Sequence, residues 1–133
     1  MAEKGGVRAM CADDFRRIAL GLEHSSEGAH MGHPDFRVNG RIFATLHHDD
    51  LHGMVKLTPE QQQTFVLAHR AAFVPENGAW GRQGCTSVRL DAIDEDTLGV
   101  AMTLAWRNAS SMPAARRSTP SRRARRPRTP RTR

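Results

Sequence analysis

Apolar and polar residues alternate from His33 to Leu46, around an Asn39-Gly40 step that favours a tight turn because both residues tolerate positive φ. A two-residue loop would pair Val38 with Arg41 and mix apolar with charged side chains on both faces. An odd-numbered loop, a type I turn closed by a glycine bulge, separates them. We therefore predict a hairpin with one face formed by Phe36, Val38, Ile42, Ala44 and Leu46, and the other by Asp35, Arg37, Arg41, Phe43 and Thr45.

Helical spacing marks segments on both sides of this hairpin. A first helix is predicted from about residue 10, where apolar residues recur at i, i+3, i+4 and i+7: Phe15, Ile18, Ala19 and Leu22. The second helix begins at Thr58-Pro59-Glu60-Gln61, a capping box with proline in the first turn, and is predicted to stop near residue 71. A last helix follows an Asp94 cap and has a predicted buried stripe of Leu98, Ala101, Met102, Ala105 and Trp106.

Extended segments fill the rest of the predicted domain. Strands are expected at about 29–38, 41–46, 53–57 and 85–90, with a short extended piece at 72–75. A glycine-punctuated loop at 78–84 precedes the last of these strands. The element order α-βββ-α-β(β)-α predicts an α+β fold in two layers, an antiparallel sheet with helices on one face.

Charge divides the chain into a body and a tail. The 133 residues include 20 basic and 14 acidic side chains, and nine arginines but no acid lie from Pro113 onward. That leaves 11 basic residues against all 14 acids in the body. We predict a frayed start at 1–9, one domain at 10–109 and a disordered Arg/Pro-rich tail at 110–133. An acidic body argues against a general nucleic-acid surface. The tail would bind nucleic acid non-specifically or a membrane surface, or it is a gene-model or frameshift product.

Cysteine usage and hydropathy indicate the compartment. Cys11 and Cys85 are the two cysteines, and they form no CxxC motif. No apolar run approaches the roughly 20 residues that a membrane-spanning helix needs. We therefore expect a reduced, cytoplasmic protein without a membrane span.

Several short motifs occur in a familiar order along the body: His33-Pro-Asp-Phe-Arg-Val, Gly40-Arg-Ile-Phe-Ala, Val55-Lys-Leu, Gly78-Ala-Trp-Gly-Arg, Gly84-x-Thr86 and Ala105-Trp106-Arg107. Over residues 10–109 the chain resembles the MmcQ/YjbR family of small bacterial proteins. The resemblance implies a secretion-chaperone-like α/β fold and the DNA-binding label customary for that family, which refers to a proposed double-wing arrangement of hairpins. It brings no accepted catalytic residues, and we expect no cofactor. The family usually has Gly-Trp-Thr where this chain has Gly84-Cys85-Thr86, so an aromatic side chain is lost here.

The outward sheet face is the first candidate site. By alternation, cationic side chains project away from the core with one aromatic ring among them, and would grip phosphate or another anion while the ring stacks on a base. These residues are Arg37, Arg41, Lys56 and Arg89, with Phe43 as the ring. Asp35 on the same face offers an alternative, a solvated ladder of salt bridges, because exposed faces of antiparallel sheets are ordinarily charged.

The glycine-rich loop is the second candidate site. Gly78, Gly81 and Gly84 could expose backbone amides as an anion nest beside Arg82, or could simply make turns. Trp80 either covers a cleft or packs on the last helix beside Trp106.

Histidine and cysteine chemistry is the remaining possibility. The chain has seven histidines, but the spacing of His30 and His33 on one continuous strand would place them on opposite faces. With no HExxH motif and an isolated Cys85, we expect no metal site and no nucleophilic cysteine.

Three hypotheses for function stay open. The first is a non-enzymatic binding module that contacts DNA or another anionic partner through the outward face, the glycine-rich loop and the basic tail. The second is a small-molecule or anion-binding protein that uses a cleft between Trp80 and the hairpin. The third is a protein-interaction module that is a monomer or pairs its sheet face in a homodimer.

Overall fold

The computed structural model describes residues 10–111. The predicted frayed start at 1–9 and the tail from 112 onward lie outside the described residues. In the described part, none of the helices has the length and apolar character that crossing a bilayer requires.

The described residues form a six-stranded, wholly antiparallel sheet with helices. The helices are α1 (Ala12–Leu20), α2 (Pro59–Ala68), α3 (Gly78–Arg82) and α4 (Glu95–Ser110), with a 3₁₀ turn at Leu90–Ala92. The strands are β1 (Ser26–His30), β2 (His33–Val38), β3 (Arg41–Leu46), β4 (His52–Lys56), β5 (Phe73–Pro75) and β6 (Cys85–Arg89). Their order across the sheet is β1-β2-β3-β4-β6-β5. The predicted α+β class is therefore confirmed, and Ser110, which we assigned to the tail, closes α4.

The helix starts follow the local chemistry of the sequence. The Gln61 amide donates to Thr58 Oγ1 at 3.1 Å, and the Thr58 amide donates to Gln61 Oε1 at 3.0 Å, so the capping box is closed. Asp94 Oδ1 accepts from the Thr97 amide at 2.7 Å at the start of α4. These bonds satisfy amides that have no partner within the helix. The segment at 78–84, predicted as a loop, contains α3 instead.

The core lies between the sheet and α1, α2 and α4. Phe15 of α1 packs on Phe36 of β2 with ring centroids 5.9 Å apart. Phe65 of α2 packs on Phe73 of β5 at 5.0 Å. The predicted stripe of α4 is confirmed, since Leu98, Ala101, Met102 and Ala105 are fully buried and Trp106 packs against the same cluster. This face of the sheet is closed, and the opposite face is left to form a site.

The turn at the centre of the predicted hairpin differs from our expectation. Val38 pairs directly with Arg41 across a two-residue loop, in which Asn39 has a φ of 55° and Gly40 a φ of 74°. The extra residue lies inside β3 instead. Between Phe36 and Arg37 of β2 the register shifts, so that two consecutive residues of β2 face positions of β3 that are separated by one further residue. The odd-numbered loop was therefore wrong.

The bulge inside β3 corrects the two predicted faces. Phe36 pairs with Ala44 and Arg37 with Ile42, which leaves Phe43 as the added residue on β3. A bulge turns two successive side chains to one side, and both Phe43 and Ala44 are fully buried in the core. Ile42 consequently lies on the open face with Arg37, while Arg41 shares the face of Val38. The predicted outward positions of Phe43 and Arg41 and the inward position of Ile42 were wrong.

A second turn divides the predicted strand at 29–38. Met31 and Gly32 adopt φ values of 52° and 81°, and His30 pairs with His33 across them. Gly32 favours such a turn, but methionine seldom occupies a position of positive φ. Of the two turn residues, only Gly32 is of a type that predicts this hairpin from the sequence.

Candidate ligand-binding cleft on the open sheet face

The open face of the sheet carries a cleft of about 610 Å³, which we call the outer-face cleft. Its floor is formed by side chains of the three central strands, Ile42, Thr45, Met54 and Cys85. The pairing of Thr45 with Met54 and of Lys56 with Cys85 aligns these strands side by side. His30 and Met31 border the cleft, as do Lys56, Trp80 and the pair formed by His47 and Glu76.

Tight backbone packing holds α3 and its tryptophan beside the open face. A side chain at Gly81 would overlap the carbonyl oxygen of Glu76, and one at Gly84 would overlap that of Leu57. Gln62 of α2 donates from Nε2 to the carbonyl oxygens of Gly81 at 2.9 Å and Cys85 at 3.1 Å. These glycines are thus explained by close approach of two backbones, and Gly84 also by its φ of 110°.

The two tryptophans have separate surroundings. Trp80 lines the outer-face cleft and is 63% exposed. Trp106 packs on the core cluster at the other side of the sheet and donates from Nε1 to the Glu23 carbonyl oxygen at 2.9 Å. Of the two interpretations of Trp80, the structure supports the one that places it at a cleft.

The predicted cations do not form one continuous patch. Arg37, Lys56 and Arg89 share the open face, whereas Arg41 lies on the other face by register and Arg82 belongs to α3. Arg89 pairs with Asp91 at 2.7 Å. Among the residues that the structure describes, no carboxylate is within ion-pair distance of Lys56.

Arg37 takes part in the salt-bridge arrangement that we weighed against anion binding. It donates to Asp35 from Nε at 2.8 Å and from a terminal nitrogen at 3.0 Å. Asp35 is fully buried, and His30 Nδ1 lies 2.7 Å from its Oδ2, the oxygen that also accepts from the terminal nitrogen of Arg37. The hydrogen bond from Arg37 holds the pKa of the Asp35 carboxyl below its ordinary value, against the opposing effect of burial.

A second cavity, of about 510 Å³, opens where the sheet ends at the Asn39-Gly40 turn, and we call it the sheet-end cleft. It is lined by Arg37, Arg41 and Lys56, and also by the uncharged polar residues Thr58, Gln83 and Asn108. Lys56 and Ile42 line both clefts, so the two adjoin. The structure therefore brings together three of the predicted cations around the edge of the sheet, although they do not share a face.

Histidines form a row at the opposite end of the open face. The His33 ring lies 3.9 Å from that of His48 and 6.0 Å from that of His30, because the Met31-Gly32 turn returns the chain beside itself. Our expectation that His30 and His33 point to opposite faces was wrong. Within residues 10–111, however, no three side chains with suitable donor atoms are arranged to hold a metal ion.

Cys85 lies under the cleft as part of its floor. Its side chain is buried, and burial raises the pKa of the thiol, although the charge of Lys56 acts in the opposite direction. A thiol with a raised pKa is protonated near neutrality and a poor nucleophile. Sequence reasoning missed four residues that line the cleft: Thr45, His47, Met54 and Glu76. Met54 could have been found, because it is two residues from Lys56 on β4 and therefore lies on the same face.

Comparison with known proteins concerns almost the whole described chain. The YjbR family model matches residues 20–108. The crystal structure of Deinococcus radiodurans protein DR2400, a DUF419 domain, is similar with a TM-score of 0.63 at 20% sequence identity, covering 86% of this chain and 97% of that one. That likeness supports the fold. No match was found among the curated proteins compared with the chain.

Proposed function

Because the chain belongs to the YjbR family and its open sheet face carries a cleft, we propose that it is a non-enzymatic binding module. Its ligand is a small, partly apolar molecule that enters the outer-face cleft. The cleft is bordered by Trp80 and by His30 and Met31, above side chains of β3, β4 and β6.

The exposed indole of Trp80 beside an apolar floor is the observation that carries this proposal. Open faces of antiparallel sheets are ordinarily polar, yet Ile42 and Met54 lie here next to Trp80, which is 63% exposed. Removing apolar surface from water is worth about 25 cal/mol per Å². An aromatic wall over an apolar, concave floor with a few polar groups is the usual composition of a small-molecule site.

The polar groups of the cleft favour binding over catalysis. Lys56, His30 and the His47–Glu76 pair, whose side chains approach to 3.3 Å, can orient a ligand through directed contacts. Cys85 is a cleft residue of a type that serves as a nucleophile in enzymes. The raised pKa of its thiol argues against nucleophilic catalysis here.

A thermal-shift screen of metabolites and aromatic fragments tests the proposal on the full chain. A ligand at about 100 times its Kd stabilises the native state by about 2.7 kcal/mol, which raises the melting temperature. Trp80→Ala should abolish the shift caused by ligands of the cleft. Val100→Ala is the matched control, because Val100 is 55% exposed on α4 and outside this cleft. Ligands that shift wild type and Trp80→Ala equally would contradict the assignment of the site.

Nucleic-acid binding is the second candidate, and it is favoured by the nine arginines that follow Pro113. Binding through that segment would lose affinity steeply with salt and would show little sequence preference. A contribution of the open sheet face would require Arg37→Ala or Lys56→Ala to weaken DNA binding more than Arg70→Ala, a cation outside both clefts. Equal effects of the three substitutions, measured across a salt series, would leave the sheet face without a role in DNA binding.

A further inference from the structure

The sheet-end cleft concentrates positive charge in a body that is otherwise rich in acids. It is lined by three of the nine lysines and arginines in residues 10–111. None of the described residues that line it is acidic. We propose that this cleft binds an oxyanion, a phosphate or carboxylate group, at one end of the ligand held in the outer-face cleft; the inference therefore rests on the function proposed above.

Arg37 is the best-positioned cation of the three. Its bidentate contact with the buried Asp35, at 2.8 and 3.0 Å, fixes the guanidinium plane, and Arg37 is one of the residues that line the cleft. That contact uses Nε and one terminal nitrogen, and a guanidinium has five N–H donors. The donors outside the pair remain for an oxyanion, and fixing the plane beforehand lowers the entropy lost on binding.

Lys56 is held at the junction of the two clefts. Asn108 of α4 donates from Nδ2 to the Lys56 carbonyl oxygen at 3.2 Å and to Gln61 Oε1 at 2.9 Å. These bonds tie the end of β4 to α4 and to the start of α2. The Thr58 and Gln61 amides at the start of α2 already donate to each other's side chains. The attraction for an oxyanion would therefore come from the cationic side chains rather than from the helix start.

The adjoining clefts define the class of ligand. Ile42 and Lys56 belong to both. A molecule with an aromatic ring against Trp80 and Met54 would place an acidic substituent near Lys56, with Arg37 and Arg41 beyond it. We therefore infer an aromatic phosphate monoester or carboxylate of small-molecule size as the ligand.

The test uses three probes that share one ring system: 1-naphthyl phosphate, 1-naphthoate and 1-naphthol. Full-length ¹⁵N-labelled protein has two indole N–H signals, from Trp80 and Trp106, and Trp80→Phe identifies them. Both acids should shift the Trp80 signal and leave that of Trp106, which is hydrogen-bonded to Glu23, in place. Naphthol should bind at least tenfold more weakly, and a preference for the phosphate over the carboxylate would identify a dianion site.

Charge-removing variants separate this site from the arginine-rich tail. Lys56→Gln and Arg41→Gln should each weaken binding of 1-naphthyl phosphate about tenfold, which is 1.4 kcal/mol. Arg70→Gln, with the same loss of charge outside both clefts, should change it less than twofold.

Two results would overturn the inference alone. In one, naphthol binds at Trp80 as tightly as naphthyl phosphate; in the other, Lys56→Gln, Arg41→Gln and Arg70→Gln weaken the phosphate probe equally. If no probe moves the Trp80 signal at millimolar concentration, the proposed function fails as well for this class of ligand.

Discussion

Asp35 shows how one buried charge organises its neighbours. Its carboxylate is removed from water beneath the open face, and Arg37 and His30 together satisfy it. Removing one partner of a buried, charge-assisted pair is costly because the other keeps its desolvation without its contact. Asp35 therefore supports the fold and also orients the guanidinium of Arg37, a residue that lines the sheet-end cleft.

We expect Asp35→Asn to lower the free energy of unfolding by about 1–3 kcal/mol, since charged hydrogen bonds are replaced by weaker neutral ones. Urea denaturation measures this change. Asp91→Asn, which breaks the exposed pair with Arg89, is the control and should have little effect. An Asp35→Asn variant as stable as wild type would show that water compensates for the lost contact.

The same carboxylate predicts how stability depends on pH. The folded pKa of Asp35 is lowered chiefly by the hydrogen bond from Arg37, so its contribution is complete above the unfolded value of about 3.9 and is lost as pH falls through the folded value. Wild type should lose stability below about pH 4 more steeply than Asp35→Asn. Acid unfolding curves followed by circular dichroism test this, and parallel curves would contradict it.

Asp49 offers a direct measurement in the same pH range. It accepts from the amides of Leu51 at 2.9 Å and His52 at 3.1 Å, and the Leu51 bond is the main cause that lowers its pKa to about 2. We expect its carboxyl carbon signal to titrate near that value in NMR. A midpoint near 3.9, the ordinary value, would mean that the turn opens in solution.

At the scale of elements, glycines decide where α3 lies. Gly81 has no room for a side chain against the Glu76 carbonyl, whereas Gly99 in α4 faces open space. Because α3 carries Trp80, the position of one backbone segment determines one wall of the outer-face cleft. Gln62 strengthens that placement from α2.

Substituting these two glycines by alanine should therefore have opposite results. Gly81→Ala should destabilise the protein by about 1–3 kcal/mol through overpacking and remove Trp80-dependent ligand binding. Gly99→Ala should stabilise it by up to about 1 kcal/mol, because alanine favours the helix. Thermal unfolding and the Trp80 indole signal provide the two measurements, and unchanged ligand binding in Gly81→Ala would separate α3 from the site.

At the scale of the whole molecule, α1, α2 and α4 cover one sheet face within residues 10–111, and α3 borders the other face, which is open to solvent in this described part. A homodimer that paired the open faces would bury Trp80 and close the cleft. The proposed function therefore predicts that the full chain is a monomer at micromolar concentration. Light scattering at two concentrations tests this; a dimer that Trp80→Ala converts to a monomer would favour the protein-interaction hypothesis instead.

Local chemistry in the sequence was sufficient to predict the starts of α2 and α4 and the buried stripe of α4. Thr58, Asp94 and the spacing of apolar residues in α4 act over three or four neighbouring positions, and each was confirmed. The order of motifs was likewise sufficient for the family and the α+β fold, because it reflects the succession of elements along the chain.

Register and the assembly of the clefts depended on contacts between distant residues. The bulge at Phe43 is settled by how β3 pairs with β2 and packs against the core, so alternation alone assigned Phe43 and Arg41 to the wrong face. Arg37, Arg41 and Lys56 line one cleft only because β2, β3 and β4 are aligned so that the ends carrying these residues lie together. The sequence by itself determined most of the elements, since these arise from short-range hydrogen bonds and periodicity. Only the tertiary structure decided which side chains share a cleft, because one residue of register turns a side chain to the opposite face.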